Sequence, residues 1–169
     1  MKKALCVGIN EYPMDGASLK GCVNDATSWA ALLVDHFDFA RADVVTLMDR
    51  DATKAGMMVA LDDLLAGASY GDVLVFTNSS HGSYQPDEDG DETSPYDEVL
   101  CPYDIEEHAI VDDELRELFD GLPRGVHLTV ISDSCHSGNV TRVIVPEILP
   151  GYGSNDDRRV RFLSPLLWR

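Results

Sequence analysis

Basic residues are scarce in this chain: 13 lysines and arginines stand against 30 aspartates and glutamates, a formal charge of -17. Such an excess repels phosphate backbones and anionic headgroups at long range, which argues against nucleic acid or a membrane surface as partner and favours cationic substrates. Long hydrophobic runs are also missing. The apolar stretch from Ala4 to Ile9 is too short for the core of a signal peptide and stops at Asn10-Glu11-Tyr12-Pro13. Nothing approaches the length that spans a bilayer, so a soluble, cytoplasmic chain is expected. Cysteine is sparse as well. Cys6, Cys22, Cys101 and Cys135 are widely separated and lack paired ligand spacing, so neither a zinc site nor a disulfide framework is signalled, and reduced thiols are expected. No internal repeat is visible.

What is present suffices for one core: 169 residues, 44% of them apolar, predict a single main domain. Short apolar runs of strand length occur at Ala4 to Ile9, Asp43 to Met48, Asp72 to Thr77 and His127 to Ile131. Runs of this kind suit strands covered on both faces. Between them, helical spacing links Ala26, Ala30, Leu33 and Phe37 with Trp29 beside them, then Met57, Leu61, Leu64 and Leu65, then Leu115, Leu118, Phe119 and Leu122. Asn24, Thr53 and Asp112 are the N-cap candidates. Strands alternating with helices predict an α/β fold, a mostly parallel sheet with helices on both faces. From Pro146 the composition turns to Pro, Gly, Asn, Asp and Arg, so residues 1–145 are read as the domain and 146–169 as a linker or mobile tail.

In open α/β sheets the site lies beyond the carboxyl ends of the strands. Two polar loops leave such ends: Asn78-Ser79-Ser80-His81-Gly82-Ser83 and Ser132-Asp133-Ser134-Cys135-His136-Ser137-Gly138. Free cysteine is usually a packing residue, but the small polar neighbours of Cys135 place it at a strand-to-helix turn, the setting of a reactive thiol. Of the five histidines, His81 ends a neighbouring parallel strand and can serve as the partner base, whereas His136 is adjacent to Cys135 and should point elsewhere.

The motifs Ser79-Ser80-His81-Gly82 and Asp133-Ser134-Cys135-His136-Ser137-Gly138 resemble the catalytic histidine and cysteine motifs of the metacaspases, caspase-like cysteine peptidases. Val7-Gly8-Ile9-Asn10, Leu19-Lys20-Gly21-Cys22-Val23-Asn24-Asp25, Tyr96-Asp97-Glu98-Val99-Leu100-Cys101-Pro102-Tyr103-Asp104 and Val111-Asp112-Asp113-Glu114-Leu115 match in the same order. The resemblance implies a caspase-like three-layer fold and an endopeptidase with Cys135 as nucleophile and His81 as general acid and base. It also implies an oxyanion hole from the backbone N–H groups of Gly82 and Cys135, and a pocket lined by Asp25, Ser79 and Asp133 for arginine or lysine before the scissile bond. Paired charge-assisted hydrogen bonds make such a pocket selective. It further implies a small subunit from the same precursor, and the arginines at 158, 159, 161 and 169 are candidate processing points in the tail.

Two positions depart from the family pattern. Ser80 stands where glycine usually precedes the histidine, and Arg142 stands where a calcium-binding aspartate would join Asp97, Asp112 and Asp113. A cation in place of a ligand opposes the ion, so calcium at these three aspartates is expected only against that repulsion, and the peptidase chemistry requires no cofactor. The acidic loop from Asp87 to Glu98 fits four spacings of an EF-hand but has Glu92 where glycine is needed, and reads as a solvated loop. Two other functions compete. A cysteine phosphatase loop requires one residue fewer than the six that separate Cys135 from Arg142, and an inert caspase-like signalling scaffold is opposed by the presence of both catalytic candidates.

Overall fold

The computed structural model describes residues 1–86, 95–134, 161 and 163–168. Four parallel strands form the central sheet: β1 (Lys2–Gly8), β2 (Val44–Met48), β3 (Val73–Ser79) and, later in the chain, β7 (His127–Asp133), in the order β2-β1-β3-β7. The four apolar runs are therefore the four strands. Helices α1 (Cys22–His36), α2 (Lys54–Leu65) and α3 (Asp112–Asp120) complete the layers. Side-chain alternation sorts them. Ala4, Cys6 and Val75 face α1 through Ala26, Ala30 and Leu33, whereas Leu5, Val7, Leu74 and Phe76 share the opposite core with Met57, Leu61 and Leu64 of α2 and with Leu115 and Phe119 of α3. The sheet thus has helices on both faces, and truncating a fully buried Leu61 to alanine should cost about 2–5 kcal/mol.

The expectation that all four strands are covered on both faces is corrected at the edges. β2 and β7 are half-buried or exposed, with Val45 and Val130 open to solvent, because among the described residues the helices pack chiefly over β1 and leave the outer strands less covered. Two helix starts also differ. α1 begins one turn earlier than Asn24, after Gly21, whose φ of +100° places it in the left-handed region that glycine tolerates. α3 begins after Val111, with the Glu114 carboxylate accepting from the Val111 N–H, so Asp112 is the first helical residue and not the cap. Thr53 caps α2 as expected, its hydroxyl accepting from Gly56 N–H at 3.1 Å. Phe37 ends up outside the core because α1 stops at His36.

Two features position the site. At Gly8 an added Cβ would lie 2.4 Å from the Cys22 carbonyl oxygen and 2.9 Å from the Ala26 Cβ, so glycine lets the first turn of α1 lie directly on the end of β1. Beyond β3, a second sheet with no counterpart among the expected elements is built from β4 (Gly82–Pro86), β5 (Tyr96–Leu100) and β6 (Ile110–Val111), all antiparallel. It starts one residue after His81 and holds that residue from the far side, Cys101 N–H donating to the His81 carbonyl at 3.0 Å.

The final segment departs from the mobile-tail expectation. Leu163 is buried in the main core, and Pro165–Trp168 forms a short helix, α4, whose Trp168 packs on that core while Leu166 and Leu167 remain exposed.

Candidate active site

Parallel pairing sets Ser79 opposite Asp133 at the ends of β3 and β7. The two polar loops therefore leave the sheet side by side. Ser80 and Ser134 already touch, hydroxyl to hydroxyl at 3.4 Å, and the Asn78 amide donates to both of them at 2.9 and 3.0 Å. Ser80 is fully buried and its hydroxyl donates to the His81 carbonyl at 3.0 Å, so the departure from glycine is absorbed by a hydrogen-bonded seat. Cys135, His136, Gly138 and Arg142 lie outside the described residues, as does the acidic loop over 87–94.

His81 is buried and held on three sides. Its backbone N–H donates to the Tyr12 hydroxyl at 3.1 Å, the Tyr12 ring packs on the imidazole with centroids 5.1 Å apart, and Nε2 lies 2.8 Å from the Ala17 carbonyl oxygen. A carbonyl can only accept, so Nε2 carries the hydrogen and Nδ1 becomes the basic atom of the neutral ring. Tyr12 donates in turn to the Cys101 carbonyl at 2.9 Å, and burial pushes its hydroxyl well above the usual phenol range, which keeps it neutral. Neither Tyr12 nor Ala17 is prominent in sequence. The only sign was the position of their loop, directly after β1 at the same sheet edge.

Cys6, Cys22 and Cys101 are buried, and desolvation pushes each thiol up, so none of the three is a ready thiolate.

Asp25, Ser79 and Asp133 lie close together at this edge of the sheet. Ser79 donates to Asp25 Oδ2 at 3.0 Å, and a cleft of about 330 Å³ opens beside them between α1 and β7, floored by Trp29, Leu32 and Ile131. The cation among them is the chain's own Arg161. One guanidinium nitrogen donates to Asp25 Oδ2 at 2.5 Å; the other donates to Ser79 Oγ at 2.5 Å, to the Asp133 backbone carbonyl at 3.1 Å and to the Asp133 carboxylate. Burial alone would depress this guanidinium, but the hydrogen bond to Asp25 and the negative charges around it raise its pKa, so it stays charged. The backbone of the same residue is also engaged: Gly82 N–H donates to the Arg161 carbonyl at 2.9 Å.

The metacaspase peptidase C14 domain profile matches residues 2–144. The chain belongs to the metacaspase family. Metacaspase-4 of Arabidopsis thaliana is 41% identical over 145 residues, covering 82% of this chain and 34% of the relative. Metacaspase-1 of Coccidioides immitis is 43% identical over 146 residues, covering 82% and 31%. The crystal structure of protein GSU0716 from Geobacter sulfurreducens superposes with a TM-score of 0.71 at 33% identity, covering 84% of this chain and 53% of that one. This metacaspase domain spans about a third of the length of the curated relatives it matches. No helix among the described residues is long and apolar enough to cross a membrane.

The three aspartates that the family pattern assigns to calcium gather at the start of α3 and on β5. Asp97 Oδ1 and Asp112 Oδ1 are buried without a hydrogen-bond partner, and Asp112 is pushed up first by burial and then by the charges of Asp113 and Asp97. Such orphaned hard oxygens fit a calcium ion in kind. Asp113 pairs with Arg116, and among the described residues no three acidic groups close around one point.

Proposed function

We propose that this metacaspase domain is a cysteine endopeptidase that cleaves after arginine or lysine, and that its first substrate is its own Arg161–Phe162 bond. The observation that carries the proposal is the seat of Arg161. Its guanidinium lies between Asp25 and Asp133, and its carbonyl accepts from Gly82 N–H. A donor aimed at the carbonyl of the residue that fills the charged pocket is the arrangement that stabilises a developing oxyanion.

In the proposed reaction the Cys135 thiol gives its proton to His81 Nδ1, and the sulfur attacks the carbonyl carbon of the arginine in the pocket. The oxyanion is held by Gly82 N–H together with the Cys135 N–H. Collapse breaks the C–N bond, His81 returns the proton to the departing amine, and water hydrolyses the thioester with His81 again as base. Ala17 fixes the tautomer throughout. No cofactor enters any step. Asp97, Asp112 and Asp113 would hold calcium, which would supply charge neutralisation behind β5.

The phosphatase reading is opposed by Asp25 and Asp133, whose charges would repel a phosphate. For an inert scaffold no observation speaks. As partner we propose a small subunit from the same precursor, pairing along β7 where Val130 is exposed. Residues 1–145 would be the catalytic unit and 146–169 the processing region, in the cytoplasm. Fluorogenic peptides ending in Arg, Lys or Asp test the proposal on the chain and on Cys135→Ala. Cleavage after Arg and Lys that disappears in the variant is expected; turnover that persists without the thiol would overturn it.

A further inference from the structure

We infer that the start of β4 is a second substrate site, on the leaving side of the scissile bond, that holds an extended peptide with leucine two residues after the arginine. This inference rests on the peptidase reading above. Gly82 bonds the chain's own segment at two points, its N–H to the Arg161 carbonyl at 2.9 Å and its carbonyl to the Leu163 N–H at 3.0 Å. One residue bonding to two others spaced two apart is the pattern of parallel strand pairing, so the segment is held by its backbone as an added strand. Ser83 extends the contact: its hydroxyl donates to the Leu163 carbonyl at 2.7 Å and accepts from the Trp168 indole N–H at 3.0 Å.

The side chain of Leu163 supplies the selectivity. It is 2% exposed and belongs to the main core, together with Leu100 at the end of β5 and Cys101 just after it. Ser83 is 0% exposed, so withdrawing the segment would strip a buried hydroxyl of both partners and open a leucine-sized hole in the core. A place that requires an apolar side chain and a peptide backbone at once is a recognition site for that peptide. Together with the carboxylate pocket it reads two residues of a substrate, one on each side of the bond. The same contacts grip the amine-bearing fragment after the C–N bond breaks, so that fragment must leave before water reaches the thioester.

The test uses the full chain and three substrates: quenched peptides containing Arg-Phe-Leu-Ser-Pro or Arg-Phe-Asp-Ser-Pro, and an arginyl coumarin amide with nothing on the leaving side. The expected ratio of kcat/KM, leucine over aspartate, is about tenfold or more, the range of apolar pocket discrimination, and Ser83→Ala should shrink it severalfold. Equal rates for the two peptides, with the coumarin amide still cut, would overturn this inference and leave the peptidase standing. Absence of all cleavage would count against the peptidase; amide exchange at Leu163 then decides the site. Protection that is lost in Ser83→Ala supports it, and an unprotected Leu163 overturns it.

Discussion

Two groups of acidic residues occupy this domain, and they behave in opposite ways. Asp25 and Asp133 stand at the ends of α1 and β7 with a guanidinium between them, bonded to one oxygen of each. Asp97, on β5, and Asp112, at the start of α3, each have one buried oxygen unpartnered, and Asp112 resists ionisation. The composition is the same, yet one cluster holds the flat, forked cation of Arg161 and the other is left with surplus charge. Partner geometry, not charge, separates a satisfied acidic cluster from an electrostatic burden.

The sharpest way to break the comparison is Asp25→Asn. Losing one carboxylate from a desolvated guanidinium pair costs about 2–4 kcal/mol, so kcat/KM on arginine peptides should fall by roughly 30- to 1000-fold, read in a fluorogenic assay, with Asp112→Asn as the contrasting variant. Next is Arg161→Gln, which makes the two clusters alike by removing the internal cation. Self-cleavage at that bond should stop, seen as a missing fragment by mass spectrometry, and the initial rate on added arginine peptides should rise about tenfold as the tethered competitor vanishes. Ser80→Gly should cost about 1 kcal/mol in denaturant unfolding, by leaving the Asn78 amide and Ser134 short of a partner, with activity changed only a few-fold.

The smallest effect is expected from Asp112→Asn, and its sign depends on pH. A carboxyl group with a raised folded pKa holds its proton more tightly in the native state, so stability declines as pH climbs from the ordinary carboxylate value through the folded one. The variant should therefore unfold at a higher temperature than wild type at pH 7, and the gain should vanish below about pH 4, where both states are protonated. Thermal melts at the two pH values check it. Calcium should raise the wild-type melting temperature and not that of the variant.

The parallel sheet and the adjacency of the ends of β3 and β7 were legible in the chain because strand runs and polar loop starts are local signals. His81 could be placed at the end of β3, beside the end of β7, because register carries sequence position directly into space, whereas Asp25, Ser79 and Asp133 were singled out by the family resemblance alone. The second sheet was not legible: Ile110–Val111 is only two residues long, and β4 holds Gly82 and Pro86, poor strand markers. The groups orienting His81 were invisible for another reason, since one of them is the backbone carbonyl of an alanine. The tail misled through its composition. Its prolines, glycines and asparagine spoke for a linker, while Leu163 and Trp168, apolar residues with no evident reason to be there, were the trace of a docked segment.

The contact at Gly8 bears on which cations the proposed pocket would accept. A strand end with no side chain sets how near the first turn of α1 comes to the sheet, and that turn carries Asp25. The reach from Asp25 to Asp133 is then gauged by an absent methyl group. An alanine at this position would lift the helix and widen the gap, favouring a guanidinium that spans it over an ammonium that touches one wall at a time. Under the proposed specificity, a calibration of substrate length would thus be written into a residue that carries no side chain.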